Sequence, residues 1–232
     1  MTLNSESSSP SRGALLVVEG LDRAGKSTQC AILTKVLQEK GHKVKYIRFP
    51  DRTTEIGKLI SSYLRGDFQL DDQSIHLLFS ANRWQAAAQM EEDIANGITL
   101  IVDRYSYSGA VYSAAKDNAS LSLDWAWSPE IGLPKPDLWI YMDISLEEAA
   151  RRGGYGQERY ENEKLQSRAR VLFKKLVELE DNGDVYVINA GQTQEEVTKE
   201  LLGPMLKTIE GLDKIGPLRK LGQWPKLPHT RV

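Results

Sequence analysis

Residues 14–28 (ALLVVEGLDRAGKST) restrict what this chain can fold into more than any other stretch. Residues 14–18 are apolar, which predicts a short buried strand. The residues from Gly20 to Ser27 then match the pattern G-x-x-x-x-G-K-[ST] at every fixed position, and a helical pattern follows. Strand, loop and helix in this order are typical of a phosphate-binding loop. The alternative interpretation is a chance match in an ordinary strand–helix turn.

The spacing of this loop has a chemical reason. Gly20 and Gly25 let the backbone turn tightly, so that successive N–H groups can point at one phosphate. The helix that follows adds the free N–H donors of its first turn. Lys26 is expected to reach the β- and γ-phosphates, and the hydroxyl of Ser27 to ligate Mg²⁺. The motif therefore predicts a nucleoside triphosphate site without specifying the reaction.

Composition narrows the class of protein. The 232 residues are 27% charged and 41% hydrophobic, as in globular proteins, and the net charge of −2 offers no basic field for nucleic acid. The single cysteine, Cys30, cannot form an internal disulfide, which fits a reducing compartment. No apolar run approaches the ~20 residues of a membrane span. We expect a cytoplasmic protein, with a nuclear location left open, and neither nucleic acid nor membrane as partner.

The periodicity of the remaining chain predicts the fold. Further apolar stretches predict strands at 44–49, 98–102, 138–142 and 185–189. Amphipathic spacing and capping residues predict helices at 27–41, 54–64, 71–96, 107–116, 123–127, from 145, at 161–182 and from 193. This alternation predicts an α/β fold, a five-stranded parallel sheet flanked by helices. With the glycine loop after the first strand, the pattern predicts a P-loop NTPase fold.

The chain ends and one internal segment are expected to differ from this domain. We expect a Ser-rich disordered tail at 1–12, without the apolar core of a signal peptide, one domain over 13–210, and an irregular tail at 211–232. Residues 151–160 (RRGGYGQERY) contain three glycines and three arginines. Glycine hinges with arginines predict a small lid that closes over phosphates and excludes water. A solvated loop with scattered charge is the alternative.

The third predicted strand ends in a polar group, Asp103-Arg104-Tyr105. A carboxylate at this position can hold Mg²⁺ or its water, and the neighbouring guanidinium can bind phosphate with two hydrogen bonds. Arg52 lies in the loop after the second strand, at the same edge of the predicted sheet. The alternatives are a carboxylate that caps the next helix and an arginine that pairs with it.

Phe79 and Arg83 are four residues apart on the longest predicted helix, so both project from one face. An aromatic ring beside a fixed guanidinium could stack on a planar base and hydrogen-bond its edge. A core phenylalanine beside a surface arginine explains the spacing equally well.

The type of P-loop protein follows from what accompanies the loop. A GTPase is expected to show N-K-x-D, which the sequence lacks, and a D-x-x-G after an early strand, which residues 213–216 of the irregular tail match only by letters. A lid, two arginines and an aromatic–arginine pair fit a small-molecule phosphoryl transferase with two nucleotide pockets. A different nucleotide or nucleoside kinase and a non-catalytic nucleotide-binding regulator are the alternatives.

The sequence also resembles the thymidylate kinase family, and its eukaryotic branch most. The shared stretches are GLDRAGKST (20–28), RFPDR (48–52), TTEIGK (53–58), LLFSANRW (77–84), DRYSYSG (103–109), GLPKPDL (132–138) and GQERYE (156–161). The resemblance implies a nucleoside monophosphate kinase-like form of the P-loop NTPase fold. It also implies transfer of the γ-phosphoryl group of ATP to dTMP with Mg²⁺, in dTTP biosynthesis, by a homodimer.

The resemblance also implies which residues bind each ligand. The implied dTMP site consists of Asp22, Phe49, Arg52, Phe79, Arg83, Arg104, Ser108, Gly109, Tyr112 and Tyr160. The implied ATP site consists of Gly20, Arg23, Ala24, Gly25, Lys26, Ser27, Thr28, Arg152, Ala190 and Gln192. Phe79 would stack on thymine, Arg83 would bond its edge, and Asp22 would bond the sugar 3′-hydroxyl. Ser27 and Asp103 would hold the metal.

The implied catalytic residues are Arg23, Lys26, Asp103 and Arg104. Arg23 lies between the loop glycines, as in the branch of the family that carries its catalytic arginine in the P-loop. The lid arginine Arg159 matches one that the eukaryotic proteins also keep, so a shared role stays open.

Overall fold

The computed structural model describes residues 12–152, 158–180 and 183–224. The tail predicted at 1–12 therefore lies outside the described residues except for Arg12, and so do residues 153–157 of the predicted lid.

Five parallel strands form one sheet in the order β2-β3-β1-β4-β5, which confirms the predicted fold class. The strands are β1 (Leu15–Gly20), β2 (Val44–Arg48), β3 (Thr99–Asp103), β4 (Leu138–Asp143) and β5 (Val185–Asn189). β1 is central and buried along its whole length, with Leu15 beside Leu100 of β3 and Gly20 beside Met142 of β4. Continuous apolar strands are buried because helices cover both faces of such a sheet.

The helices are α1 (Lys26–Glu39), α2 (Glu55–Arg65), α3 (Asp72–Ala95), α4 (Ser106–Ala114), α5 (Leu123–Trp127), α6 (Leu146–Arg151), α7 (Glu163–Leu179), α8 (Gln194–Glu210) and α9 (Leu212–Ile215), with a 3-10 turn at Ser128–Glu130. α1 and α8 pack on each other and on the sheet, whereas α3, α4 and α7 form a second group. None of the helices in the described residues is both long and apolar enough to cross a membrane.

Polar caps fix the helix starts. Thr193 and Glu196 form a complete capping box at the start of α8, as predicted. The Ser145 side chain accepts from the Glu148 N–H at the start of α6. α7 starts two residues later than predicted because the Asn162 side chain caps it by accepting from the Leu165 N–H.

The chain after Gly211, predicted as irregular, is partly ordered by the core. It contains the short helix α9, and Lys220 then pairs with Pro134 in an antiparallel bridge. Leu221 is buried, and the Trp224 ring lies edge-on to Trp127 with centroids 4.4 Å apart. Burial of these apolar side chains opposes the disorder that the nearby glycines and prolines favour.

Candidate active site

The carboxyl ends of β1, β2 and β3 and the start of α1 surround a cavity of about 590 Å³. This is the edge at which open parallel sheets bind ligands. It is lined by most of the residues predicted from the sequence, namely Asp22, Arg23, Gly25, Lys26, Ser27, Thr28, Phe49, Arg52, Phe79, Arg83, Arg104, Ser108, Gly109, Tyr112 and Tyr160.

A second cavity of about 380 Å³ lies on the other side of the phosphate-binding loop. The predicted residues that line it are Arg23, Ala24, Gly25, Thr28, Arg152, Ala190 and Gln192. Arg23 and Gly25 of the loop and Thr28 of α1 line both cavities. The fold therefore presents two binding spaces that meet at one anion-binding loop.

Two predicted site residues, Gly20 and Asp103, line neither cavity. Gly20 has a φ of 145°, and a Cβ there would lie 2.7 Å from the Met142 carbonyl oxygen, so it serves the close approach of β1 and β4. Asp103 is fully buried behind the loop, where its Oδ2 accepts hydrogen bonds from the hydroxyls of Ser27 (2.5 Å) and Tyr46 (3.0 Å). Asp103 therefore meets a ligand through Ser27.

Lys26 is the first residue of α1 and is 5% exposed. Its Nζ donates to the Leu21 carbonyl oxygen at 2.5 Å, inside the curve of the loop. Burial lowers the pKa of Lys26 to about 8, and the charge of Arg104 acts in the same direction. Because this buried ammonium group has few hydrogen-bond partners, it is suited to bind an anion.

Arg23 and Arg104 both adopt positive φ, 68° and 66°, a region that non-glycine residues seldom occupy. Arg104 donates to the Asp22 carboxylate and to the Ser108 hydroxyl (3.2 Å). Burial alone would raise the pKa of Asp22, but the positive charges of Arg104 and Lys26 hold it below its ordinary value. Strained backbone is typical of functional sites, and here it aims two guanidinium groups into the larger cavity.

An aromatic group closes the far end of the larger cavity. The Tyr160 ring lies parallel to Tyr112, with centroids 6.0 Å apart, and 6.2 Å from Phe79. Arg83 is 3% exposed and lines the same cavity, so it is not the surface arginine of the alternative interpretation.

The last residues of the predicted lid and the residue that follows them contact side chains of the larger cavity. Glu158 accepts two hydrogen bonds from Arg52, at 2.8 and 3.1 Å, and Glu161 accepts one from Arg23 at 3.2 Å. Arg159 instead donates to the carbonyl oxygens of Tyr63 and Phe68 and stacks on the Tyr63 ring. Its guanidinium is thus bound to the end of α2, apart from both cavities.

Three buried polar residues of the site were missed by the sequence reasoning. Glu19 accepts from the N–H groups of Tyr105 (2.8 Å) and Ser108 (3.0 Å), and burial raises its pKa. The Gln166 amide donates to the Asp22 carboxylate at 2.5 Å, which connects α7 to the loop. Glu130 holds Arg83. A glutamate at the end of an apolar strand was the available signal for Glu19.

Comparison with known proteins agrees with this geometry. A family model described as thymidylate kinase matches residues 18–201. The chain belongs to the thymidylate kinase family. The thymidylate kinase of Arabidopsis thaliana is 48% identical over 219 residues, which cover 94% of this chain and 81% of that protein. The thymidylate kinase of Homo sapiens is 51% identical over 166 residues, 72% of this chain and 77% of its own length.

A solved structure of thymidylate kinase from Candida albicans superposes with a TM-score of 0.81 at 37% identity, covering 91% of this chain and 99% of that one. Thymidylate kinases are dTMP kinases, so this chain is an ATP-dependent phosphotransferase of dTTP biosynthesis. The larger and smaller cavities then offer space for two nucleotides.

Substitution of Gly109 tests whether the end of the larger cavity beside Arg83 binds dTMP. A Cβ at this position would lie 2.4 Å from Nη2 of Arg83, which cannot retreat while it is bound to Glu130. We expect Gly109→Ala to raise KM for dTMP about tenfold, the effect of one strained charged hydrogen bond, with KM for ATP unchanged. Steady-state kinetics with each substrate varied will check this. Gly203→Ala, where a Cβ meets nothing within 4 Å, is the matched control.

Proposed function

We propose that dTMP occupies the larger cavity and ATP the smaller one, with the γ-phosphoryl group passing between them over the shared loop. The observation that carries this proposal is that Arg23, Gly25 and Thr28 line both cavities. Phosphoryl transfer needs positioning and charge neutralisation more than a strong base, because the acceptor is itself an anion.

The charged groups divide this task by position. Lys26 lies under the loop and lines the larger cavity, so the β- and γ-phosphates of ATP extend past the loop from the smaller cavity to reach it. Arg104 and Arg52 hold the phosphate of dTMP, and Arg52 would exchange its pairing with Glu158 for that phosphate. Arg23, at both cavities, stabilises the transferring group. Asp22, kept ionised by its neighbours, accepts a hydrogen bond from the sugar.

The residues around Ser27 fit a magnesium ion. Oδ1 of Asp103 is buried and has no hydrogen-bond partner among the described residues, and the Ser27 hydroxyl lies beside the same carboxylate. Hydroxyl and carboxylate oxygens with substrate phosphates are the ligands that Mg²⁺ prefers. Ser27 and Asp103 would hold the ion, which when bound neutralises charge on the phosphates.

Assay of a panel of acceptors tests the proposal against its alternatives. ADP formation is measured with dTMP, dUMP, dCMP, AMP and thymidine in the presence of ATP and Mg²⁺. Preference for dTMP, with dUMP next, supports the proposal. A preference for thymidine would indicate a nucleoside kinase, and the absence of turnover with tight ATP binding would indicate a regulator.

We also propose a homodimer in the cytoplasm, built on one face of α3. Leu77 and Trp84, seven residues apart on α3, are 48% and 43% exposed, and Ile131 beside them is 37% exposed. Exposed apolar patches of this kind mark interfaces. We expect Leu77→Arg to yield a monomer, measured by size-exclusion chromatography with light scattering. Val171→Arg, at a 50% exposed position of α7, should remain dimeric, and a monomeric unsubstituted protein would contradict the proposal.

A further inference from the structure

A buried ion pair lies behind the base end of the larger cavity. Arg83 donates from Nε to one oxygen of Glu130 at 2.7 Å and from Nη2 to the other at 2.6 Å. The two residues are 3% and 0% exposed. Although burial acts against ionisation, Arg83 holds the pKa of Glu130 below its ordinary value, so the carboxylate is charged. Removing one partner of such a pair leaves an uncompensated buried charge.

The turn that carries Glu130 is held from two sides. Its neighbour Pro129 accepts hydrogen bonds from the Ser80 hydroxyl (3.2 Å) and the Trp84 indole (2.7 Å) of α3. Two residues after Glu130, the Gly132 N–H donates to the Leu221 carbonyl oxygen at 2.8 Å. Because both sides are bonded, the carboxylate has little freedom to follow a displaced arginine.

The bidentate pairing decides which donors of Arg83 remain for a ligand. Glu130 accepts one N–H of Nε and one of Nη2, which leaves the second N–H of Nη2 and both N–H groups of Nη1, and no described residue accepts from Nη1. Gly109 lies against the guanidinium, close enough that a Cβ would be 3.1 Å from Nη1. Arg83 lines the larger cavity beside Phe79. These remaining N–H donors are therefore those that a base stacked on Phe79 can meet.

We propose that Glu130 is a positioning residue that fixes Arg83 so that its remaining N–H donors select a 4-oxo pyrimidine over a 4-amino pyrimidine. The proposal rests on the assignment of dTMP to the larger cavity. Thymine presents an acceptor at O4, whereas cytosine presents an amino donor there. A guanidinium carries donors only, so it bonds the first and opposes the second. A fixed guanidinium enforces this difference, while a mobile one can turn away.

The decisive variant is Glu130→Gln. Glutamine keeps one acceptor but sets an amide donor against an arginine donor, so one of the two bonds is lost. We expect KM for dTMP to rise about tenfold to a hundredfold, the range of one hydrogen bond to a charged group, with KM for ATP changed less than twofold. The ratio of kcat/KM for dTMP to that for dCMP should fall about tenfold. Glu130→Asp keeps the negative charge, and both values should lie between those of the unsubstituted protein and Glu130→Gln.

Asp137→Asn is the matched control. Asp137 also accepts two hydrogen bonds from one arginine, Arg12, at 2.8 and 2.7 Å, and its side chain is fully buried, but it lies before β4 at the opposite edge of the sheet. Asp137→Asn should lower the midpoint temperature of unfolding as Glu130→Gln does, and it should leave KM for dTMP unchanged. Equal effects of the two variants on KM would overturn the proposal.

A double-mutant cycle separates action through Arg83 from a general structural effect. In an Arg83→Gln background, where the pair is neutral once Glu130→Gln is added, the second substitution should raise KM for dTMP no further. Additive increases would overturn the proposal, as would an unchanged dTMP-to-dCMP ratio in folded Glu130→Gln. If the unsubstituted protein fails to phosphorylate dTMP, the assignment of the cavity fails instead, so the two failures are distinguishable.

Discussion

Arg23→Ala is expected to lower kcat for dTMP phosphorylation at least about a thousandfold, because arginines that stabilise the transferring phosphoryl group contribute roughly 10³–10⁵ in rate. Arg23 lines both cavities, and its backbone is held at a φ of 68°. Its interaction with the phosphoryl group develops in the transition state. KM for ATP and for dTMP should therefore change less than tenfold.

Two further variants show whether the guanidinium itself is responsible. Arg151→Ala removes one positive charge from an exposed side chain at the first position of the predicted lid, and it should keep kcat within about twofold. Glu161→Gln removes the ion-pair partner of Arg23 while leaving the arginine in place. An equal loss of kcat in Glu161→Gln would show that the ion pair with Glu161 is required, and not a direct contact of Arg23 with the phosphoryl group. Near-normal turnover of Arg23→Ala would contradict the catalytic assignment.

Local patterns were sufficient to predict the fold and most of the cavity lining. Buried parallel strands are continuous apolar runs, and each predicted strand overlaps an observed one. The residues that follow β1 and β3 at the carboxyl edge, such as Lys26 and Arg104, then had to meet because the sheet brings these ends together. Motif spacing and topology thus locate the site without tertiary information.

The pairing of charges could not be predicted in this way. Arg83 is bound to Glu130, 47 residues later in the chain, and no periodicity connects the two. Arg159 was compatible with a role over the phosphates, yet its guanidinium is bound to carbonyl oxygens at the end of α2. The partner of each arginine depends on which hydrogen-bond acceptors remain unsatisfied after packing, and this is a property of the whole fold. The order around Leu221 has the same origin, since its partners lie on a distant loop.

Lys26→Met is expected to reduce kcat/KM for ATP by about a hundredfold to a thousandfold, the effect of removing one preorganised donor at developing charge. The pKa of Lys26 near 8 adds a pH dependence to this expectation. In the free enzyme the ammonium loses its proton as pH rises through that value, so kcat/KM for ATP should fall above about pH 8. The Lys26→Met variant should lack this fall. A profile that is flat to pH 9.5 in the unsubstituted protein would contradict the assignment.

The same substitution is expected to stabilise the protein. The folded pKa of Lys26 is about 8, against an ordinary value of 10.5, so between these pH values the unfolded chain binds more protons and stability rises with pH. Below pH 8 the buried charge therefore opposes folding, by about 3 kcal/mol at 1.36 kcal/mol per unit of pKa. At pH 7 we expect Lys26→Met to increase the free energy of unfolding by about 1–3 kcal/mol, measured by urea denaturation, and this advantage should shrink towards pH 10. An equal or lower stability at both pH values would show that the ammonium is satisfied without a ligand. The expected result would show that burial of the Lys26 ammonium destabilises the protein when no anion is bound.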